Sequence, residues 1–274
     1  MTKKITYGKI NMKIYYGKAV YDKKEIQASL KVLKDKSLTL IDGPSVKSLE
    51  FKIANSFGKK YGLMVNSGSS AIMLALRVLN LKEGDEVITP CLNFGTAVSS
   101  LMHYKLKPVF VDVDVETLQI NVNKIEEKIS NKTKLLMIPN LIGNIPDWIR
   151  IKKIANKYNL KIIEDCAQAQ GATIKNKYVG TFGDAGCFSF YPTKILGAYG
   201  DGGFITVKSK KICEKMKRIR FYGIEQNNKN NKYFGKYYSN EPGINSRIDE
   251  VQLSILNIKI KKVKNNIKKR LKIA

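Results

Sequence analysis

The sequence predicts an α/β fold, a mostly parallel sheet flanked by helices. Three observations carry this. Apolar strand-like runs alternate with helical patterns from residue 62 to residue 208, and strands joined through helices lie parallel in a sheet covered on both faces. Small polar or proline turns stand where those runs end, as at Asn66-Ser67-Gly68-Ser69-Ser70 and Pro90. At 274 residues the chain is long enough for one large α/β domain, or for one domain and part of another.

Residues 1–60 read as an arm and a helix near 23–35, then a loop around Asp42-Gly43-Pro44. Leu63-Met64-Val65 is the first strand of the sheet, and a helix over 71–79 follows its serine-rich turn. Glu86-Val87-Ile88-Thr89 is the next strand, closed by Pro90, and Val109-Phe110-Val111-Asp112 the one after. Leu135-Leu136-Met137-Ile138 and Lys161-Ile162-Ile163-Glu164 continue the series, and Phe188-Ser189-Phe190 and Phe204-Ile205-Thr206-Val207 complete it. Helical segments fall near 121–129, 148–158 and 209–221. Residues 224–243, polar and rich in Asn, Lys and Tyr, read as a long surface loop or flap. A long helix over 247–273 ends the chain. This organisation gives an arm and helix (1–60), a large domain (61–245) and a terminal helix (246–274).

The net charge of +26 taken alone suggests a polyanionic partner. The basic residues, however, are overwhelmingly lysines spread along the whole chain, beside abundant Ile and Asn. The densest basic run, 259–270, has apolar residues at Leu256, Ile260, Val263, Ile267 and Leu271. That is helical spacing, so its lysines form the solvated face of an amphipathic helix. Composition bias explains the charge better than nucleic-acid binding, and an anionic substrate would be drawn to the same surface. The N-terminus has no apolar signal-peptide core, and no apolar run approaches the ~20 residues that cross a bilayer. Cys91, Cys166, Cys187 and Cys213 are widely spaced and fit free thiols in a reducing cytoplasm.

The chemistry centres on Lys194. It follows Cys187-Phe188-Ser189-Phe190-Tyr191-Pro192-Thr193 and precedes Gly197, Gly200, Gly202 and Gly203. Upstream, Glu164-Asp165 ends a mostly apolar run. An acid at a strand end, with a lysine between an aromatic strand and a glycine-rich loop, is how a pyridoxal 5'-phosphate (PLP) site is built. The lysine amine bonds to the cofactor aldehyde, and the acid pairs with the pyridinium nitrogen and keeps the ring an electron sink. Most lysines of so basic a chain are solvated surface; position sets this one apart. The turn Ser67-Gly68-Ser69-Ser70 sits between strand and helix, where free N–H groups favour a phosphate, although such a turn is also an ordinary helix cap. Phe94, at another strand end, either stacks on a flat ring or belongs to the core.

Read in order, these motifs resemble the DegT/DnrJ/StrS family of PLP-dependent sugar aminotransferases. The resemblance runs from about Ile14 to Ala274. It rests on Asn66 to Ala71, Gly84-Asp85-Glu86-Val87-Ile88-Thr89-Pro90, Val111-Asp112-Val113-Asp114, and Ile163 to Ala172. Phe188 to Lys194 with Gly200-Asp201-Gly202-Gly203, and Gly243-Ile244-Asn245-Ser246-Arg247, complete it. It implies the large domain of the type I PLP-dependent aminotransferase fold, with the small C-terminal domain largely missing beyond Ala274. It also implies roles: Lys194 bonded to PLP, Asp165 on the pyridine nitrogen, Gln168 near the ring's phenolic oxygen, and Phe94 on the ring face. Ser69, Ser70 and Ser189 would hold the phosphate, and Asn245 would reach the phosphate of a neighbouring subunit in a homodimer. The implied reaction moves nitrogen from an amino acid donor, glutamate, to a nucleotide-linked keto sugar in the cytoplasm.

Two departures bear on this. The family's common His after Ala169 is Gln170 here. Pro139-Asn140-Leu141-Ile142-Gly143-Asn144 is similar to relatives that remove a 3-hydroxyl from nucleotide sugars, in which histidine replaces the cofactor lysine; this chain keeps Lys194, which favours transamination. The competing readings are such a dehydratase, a truncated non-catalytic module that binds PLP or a sugar nucleotide, and a nucleic-acid binder. His103, the one histidine, lies away from the motifs and reads as structural, and no metal site is expected.

Overall fold

The computed structural model describes residues 4–7, 10–13, 19–35, 44–59, 61–224 and 239–273. An antiparallel ribbon comes first, β1 (Lys4–Tyr7) with β2 (Ile10–Lys13). Helix α1 (Lys23–Lys34) starts in a capping box: Asp22 accepts from the N–H groups of Lys24 and Glu25, and Glu25 accepts from the Asp22 N–H. Helix α2 (Pro44–Ser56) follows. The sequence suggested only a loop at Pro44, but proline also suits the first turn of a helix, where its missing N–H leaves no bond unmade.

The central sheet comprises β3 (Tyr61–Val65), β4 (Glu86–Pro90), β5 (Lys107–Val111), β6 (Thr133–Pro139), β7 (Lys161–Asp165), β10 (Ala185–Ser189) and β11 (Gly203–Val207). A short hairpin, β8 (Thr173–Ile174) and β9 (Lys177–Tyr178), lies between β7 and β10. The seven strands stand in the order β3-β11-β10-β7-β6-β4-β5. Only β11 is reversed, pairing antiparallel with β3 and β10; the other pairings are parallel. The connecting helices are α3 (Gly68–Val78), α4 (Gly95–His103), α5 (Trp148–Lys157) and α6 (Lys210–Arg220). The chain ends in α7 (Glu250–Lys259) and α8 (Val263–Ile273), joined by the tight turn Ile260–Lys262.

Side-chain alternation along the strands splits the core in two. Leu63, Val65, Val87, Met137, Ile163 and Ile205 face Leu74 of α3 and Met216 of α6. Met64, Phe188 and Phe204 face Leu49 and Ile53 of α2 and Leu253 and Leu256 of α7. Farther along that second face, Ile88, Leu136 and Ile162 pack on Trp148 and Ile151 of α5. Asp165 has the parity of Ile163 and so points to the α3 side. Glu164, one residue earlier, points the other way. The terminal helix buries Leu256 and Val263 and packs Ile260 and Ile267 partly, as its spacing predicts, whereas Leu271 is exposed.

Two other expectations need correction. Residues 121–129 form two single 3-10 turns, Val122–Lys124 and Glu126–Lys128, rather than a helix. Asn121 turns its side chain onto the Asn123 N–H, a local bond that competes with helix propagation. Helix α4 gives a weak signal because Gly95, Thr96, Val98 and Ser99 are poor helix formers; burial of Ala97 and Leu101 supports it. The strand expected at 188–190 runs earlier, as Ala185–Ser189. Of the expected flap at 224–243, residues 225–238 lie outside the described residues. Among the described residues no helix is long and apolar enough to cross a membrane, and no group of three potential metal ligands gathers.

Candidate active site at the carboxyl ends of the strands

A cavity of about 560 Å³ opens at the carboxyl ends of the parallel strands, where ligands bind in such sheets and within the size range of small-molecule sites. Ser69, Phe94, Asp165, Gln168, Ser189 and Lys194 line it. Sequence motifs far apart in the chain thus meet at one place.

One corner is the turn between β3 and α3. Ser67 caps the helix, accepting from the Ser70 N–H at 3.1 Å. The Ser70 hydroxyl donates to Asn66 Oδ1 at 2.6 Å and accepts from Ser67 Oγ at 3.0 Å. Its hydroxyl is therefore committed to the cap, and Ser67, not Ser70, lines the cavity with Gly68 and Ser69. A Cβ on Gly68 would stand 2.8 Å from Ser189 Cβ, so only glycine lets the start of α3 approach the end of β10. The result is two hydroxyls, Ser69 and Ser189, beside the unpaired N–H groups of a helix N-terminus, a set suited to a phosphate.

Asp165 ends β7. Desolvation raises its carboxyl above the usual range; the bond from the Ala167 N–H and the charge of Lys194 pull it back. Asn140, fully buried, fixes this strand end: its backbone N–H and its side-chain amide both donate to the Asp165 carbonyl, at 2.9 and 3.2 Å. Trp148 Nε1 donates to Asn140 Oδ1 at 2.8 Å and holds that amide in place. Phe94 precedes α4 and is 69% exposed, so it is available to a ligand rather than part of the core. Gln168 accepts from the Ile142 N–H at 2.8 Å. Ile142 has φ 57°, a left-handed conformation rare for a β-branched residue.

Three buried glutamines pin backbone around this cavity. Gln119 bonds both the N–H and the carbonyl of Leu141. Gln170 bonds Leu196 and Ser189. Gln252 accepts from the N–H groups of Tyr199 and Gly200. Gln170 does not line the cavity, so its place in the motif is structural support rather than ligand contact. Asn245 lies apart as well: it pairs with Phe221 in an isolated bridge and accepts from Arg247 Nε. His103 is exposed in the last turn of α4, edge-on to Tyr104. Thr96, Leu141, Tyr191, Thr193 and Asp201 also line the cavity; nothing in their residue types singled them out.

A mostly parallel sheet with a lysine, a strand-end carboxylate and a serine-lined helix N-terminus around one cavity defines an α/β domain whose cavity has groups suited to a phosphorylated cofactor. The family model of the DegT/DnrJ/EryC1/StrS aminotransferase family matches residues 20–274, and the chain belongs to that family. It is 39% identical over 226 residues to UDP-N-acetyl-3-dehydro-alpha-D-glucosamine 3-aminotransferase of Acidithiobacillus ferrooxidans, covering 82% of this chain and 58% of that protein. It is 39% identical over 251 residues to dTDP-3-amino-3,6-dideoxy-alpha-D-galactopyranose transaminase of Aneurinibacillus thermoaerophilus, covering 92% and 66%. Among solved structures, E. coli GDP-4-keto-6-deoxy-D-mannose-3-dehydratase with bound hydrated PLP superposes with a TM-score of 0.85 at 31% identity, covering 90% of this chain and 67% of that one. The chain thus spans about three fifths of the length of the first of these relatives.

Proposed function

We propose that this chain carries the cofactor site of a PLP-dependent aminotransferase acting on a nucleotide-linked keto sugar, with glutamate as donor. The observation that carries the reading is Lys194 in one cavity with Asp165 and the Ser69–Ser189 corner. The donor set fits the cofactor group by group: hydroxyls and helix N–H groups for the phosphate, a carboxylate for the ring nitrogen, an exposed aromatic ring for stacking, and an amine for the aldehyde. When bound, the cofactor supplies an electron sink that stabilises negative charge at the reacting carbon. The chain's own residues do the rest. Asp165 would pair with the ring nitrogen and keep it protonated. Lys194 would hold the cofactor through its amine and, when that amine is free, would serve as the acid and base that moves a proton at the reacting carbons. Phe94 and the strand ends orient the ring. The relatives named above support a sugar-nucleotide substrate. Presence of Lys194 favours nitrogen transfer over the dehydration performed by the E. coli relative. We place the protein in the cytoplasm as a homodimer in which Asn245 serves the partner's phosphate corner; its separation from the cavity of its own chain agrees with that assignment.

The test is an absorbance spectrum of the chain with PLP, before and after glutamate, beside Lys194→Ala. A visible band of lysine-bound cofactor that glutamate bleaches, and that the variant lacks, is the expected result. A band of equal strength in Lys194→Ala would overturn the assignment. Addition of keto sugar nucleotides then separates the reactions: nitrogen in the product marks transfer, and loss of a hydroxyl without nitrogen marks dehydration.

A further inference from the structure

Gln170 is 1% exposed and spends its whole side chain on backbone. Its Oε1 accepts from the Leu196 N–H at 2.6 Å. Its Nε2 donates to the Ser189 carbonyl at 2.5 Å and, more weakly, to the Leu196 carbonyl at 3.5 Å. Ser189 and Leu196 bracket the stretch that contains Lys194. That stretch folds tightly: the Lys194 N–H donates to Tyr191 O at 2.9 Å, and the Ala198 N–H to Phe190 O at 2.7 Å. A Cβ on Gly197 would stand 2.5 Å from Pro192 O. Gln170 itself follows Asp165 through a compact turn in which the Ala169 N–H donates to Cys166 O and the Ala172 N–H to Ala169 O. One amide therefore ties the loop of the acid to the loop of the lysine and to the serine of the phosphate corner.

We propose that Gln170 is a positioning residue for Lys194, setting where its amine stands relative to Asp165 and Ser189. The inference rests on Lys194 being the cofactor lysine. The chemistry of the site demands a side chain with an acceptor for Leu196 N–H and a donor for Ser189 C=O, a short distance apart in one plane. A primary amide provides both. A carboxylate provides only acceptors and would face the Ser189 carbonyl oxygen. An aliphatic side chain leaves both backbone groups buried and unmade. A neutral imidazole again offers one donor and one acceptor in a plane; a protonated one offers two donors and no acceptor for Leu196.

The experiment measures how fast Lys194 is captured by PLP with cyanoborohydride reduction, located by peptide mapping, in wild type, Gln170→Leu, Gln170→Glu, Gln170→Asn and Gln170→His. Thermal melting of each protein is recorded alongside. Wild type is captured preferentially at Lys194. Gln170→Leu and Gln170→Glu, still folded, are captured there slower by on the order of 10- to 100-fold, the scale of an ångström-level misplacement, while surface lysines react as before. Gln170→His recovers most of the wild-type rate at pH 8, where its neutral imidazole again offers one donor and one acceptor. Equal Lys194 rates in wild type and Gln170→Leu would overturn the proposal and leave the cofactor reading intact. No preference for Lys194 in wild type would overturn both. Should Gln170→Leu and Gln170→Glu fail to fold, Gln170→Asn decides, its amide one carbon too short to reach both backbone groups: capture of Lys194 at the wild-type rate overturns the proposal.

Discussion

Lys259 donates through Nζ to the carbonyl oxygen of Gly197 at 2.8 Å, joining the end of α7 to the backbone three residues beyond Lys194. The same ammonium stands 4.2 Å from the centre of the Tyr21 ring, and the Tyr21 hydroxyl donates to Ala198 O at 2.9 Å. Burial lowers the Lys259 pKa; Glu25 opposes the shift, and Lys262 adds to it. Lys262, one turn later, bonds Asp22 and Glu25. The terminal helix is thus wired to the lysine loop and to the start of α1.

Lys259→Met tests this wiring. Methionine keeps an apolar stem but makes neither the hydrogen bond nor the cation–π contact. A loss of about 1–3 kcal/mol in urea unfolding is expected, together with faster amide hydrogen exchange over residues 196–200. Unchanged exchange there would mean that the loop is held without the helix.

The buried pair Glu50–Arg220 joins α2 to α6 across β3. Glu50 Oε1 accepts from Arg220 Nη1 at 2.7 Å and from the Met64 N–H at 2.9 Å, and the same Nη1 donates to the Met64 carbonyl at 2.7 Å. Glu50→Ala removes this carboxylate from the buried guanidinium and the acceptor from the Met64 N–H. The expected cost is about 3–5 kcal/mol, read as a lower urea midpoint; a change under about 1 kcal/mol would show that the site relaxes and solvates the arginine.

Much of this site was legible because its chemistry lies at strand ends, where apolar runs stop and polar motifs begin. Asp165 and Lys194 stand out for that reason. Ser70 did not separate from Ser67 and Ser69, since three neighbouring small polar residues carry no signal for which hydroxyl is turned inward; the cap geometry decides it. Gln170 was visible only as a departure from the family pattern, because its partners are backbone groups that no residue type announces. Helix α4 was hidden by poor formers and the turns at 122–128 by good helical spacing. In both cases tertiary burial or local side-chain bonding outweighed propensity.

Thiol chemistry separates the four cysteines. Cys166 and Cys187 are fully buried, and desolvation holds both thiols well above the usual range. Burial pushes Cys213 up to about 11. Cys91 is exposed. Reactivity follows thiolate content and access, so a disulfide reagent at pH 8 should titrate one thiol rapidly in the native chain and all four in denaturant. Rapid reaction of Cys166 or Cys187 in the native chain would contradict the packing around Asp165.

Glu164 makes the stability of this fold depend on pH near neutrality. Its side chain leaves the sheet on the face opposite Asp165 and accepts from the Gly180 and Gly183 N–H groups at 2.7 and 2.6 Å. Desolvation raises its pKa from 4.5 to about 7, against the pull of the Gly183, Gly180 and Phe182 N–H groups and of Lys59. Lys59 is lowered in turn by burial, so its own contribution falls at alkaline pH. Between pH 4.5 and 7 the folded chain keeps a proton on Glu164 that the unfolded chain has released. Stability from this group is therefore full below about pH 4.5 and is lost as pH rises through about 7, a change on the order of 3 kcal/mol. Glu164→Gln keeps the volume, does not titrate, and turns one amide hydrogen toward a backbone N–H, costing about 1–3 kcal/mol at every pH. Urea unfolding of both proteins at pH 5.5, 6.5 and 7.5 cancels the self-repulsion of the basic surface, which they share. The advantage of wild type over Glu164→Gln should shrink steadily as pH rises. Parallel curves would mean that Glu164 stays ionised throughout, held by its backbone donors.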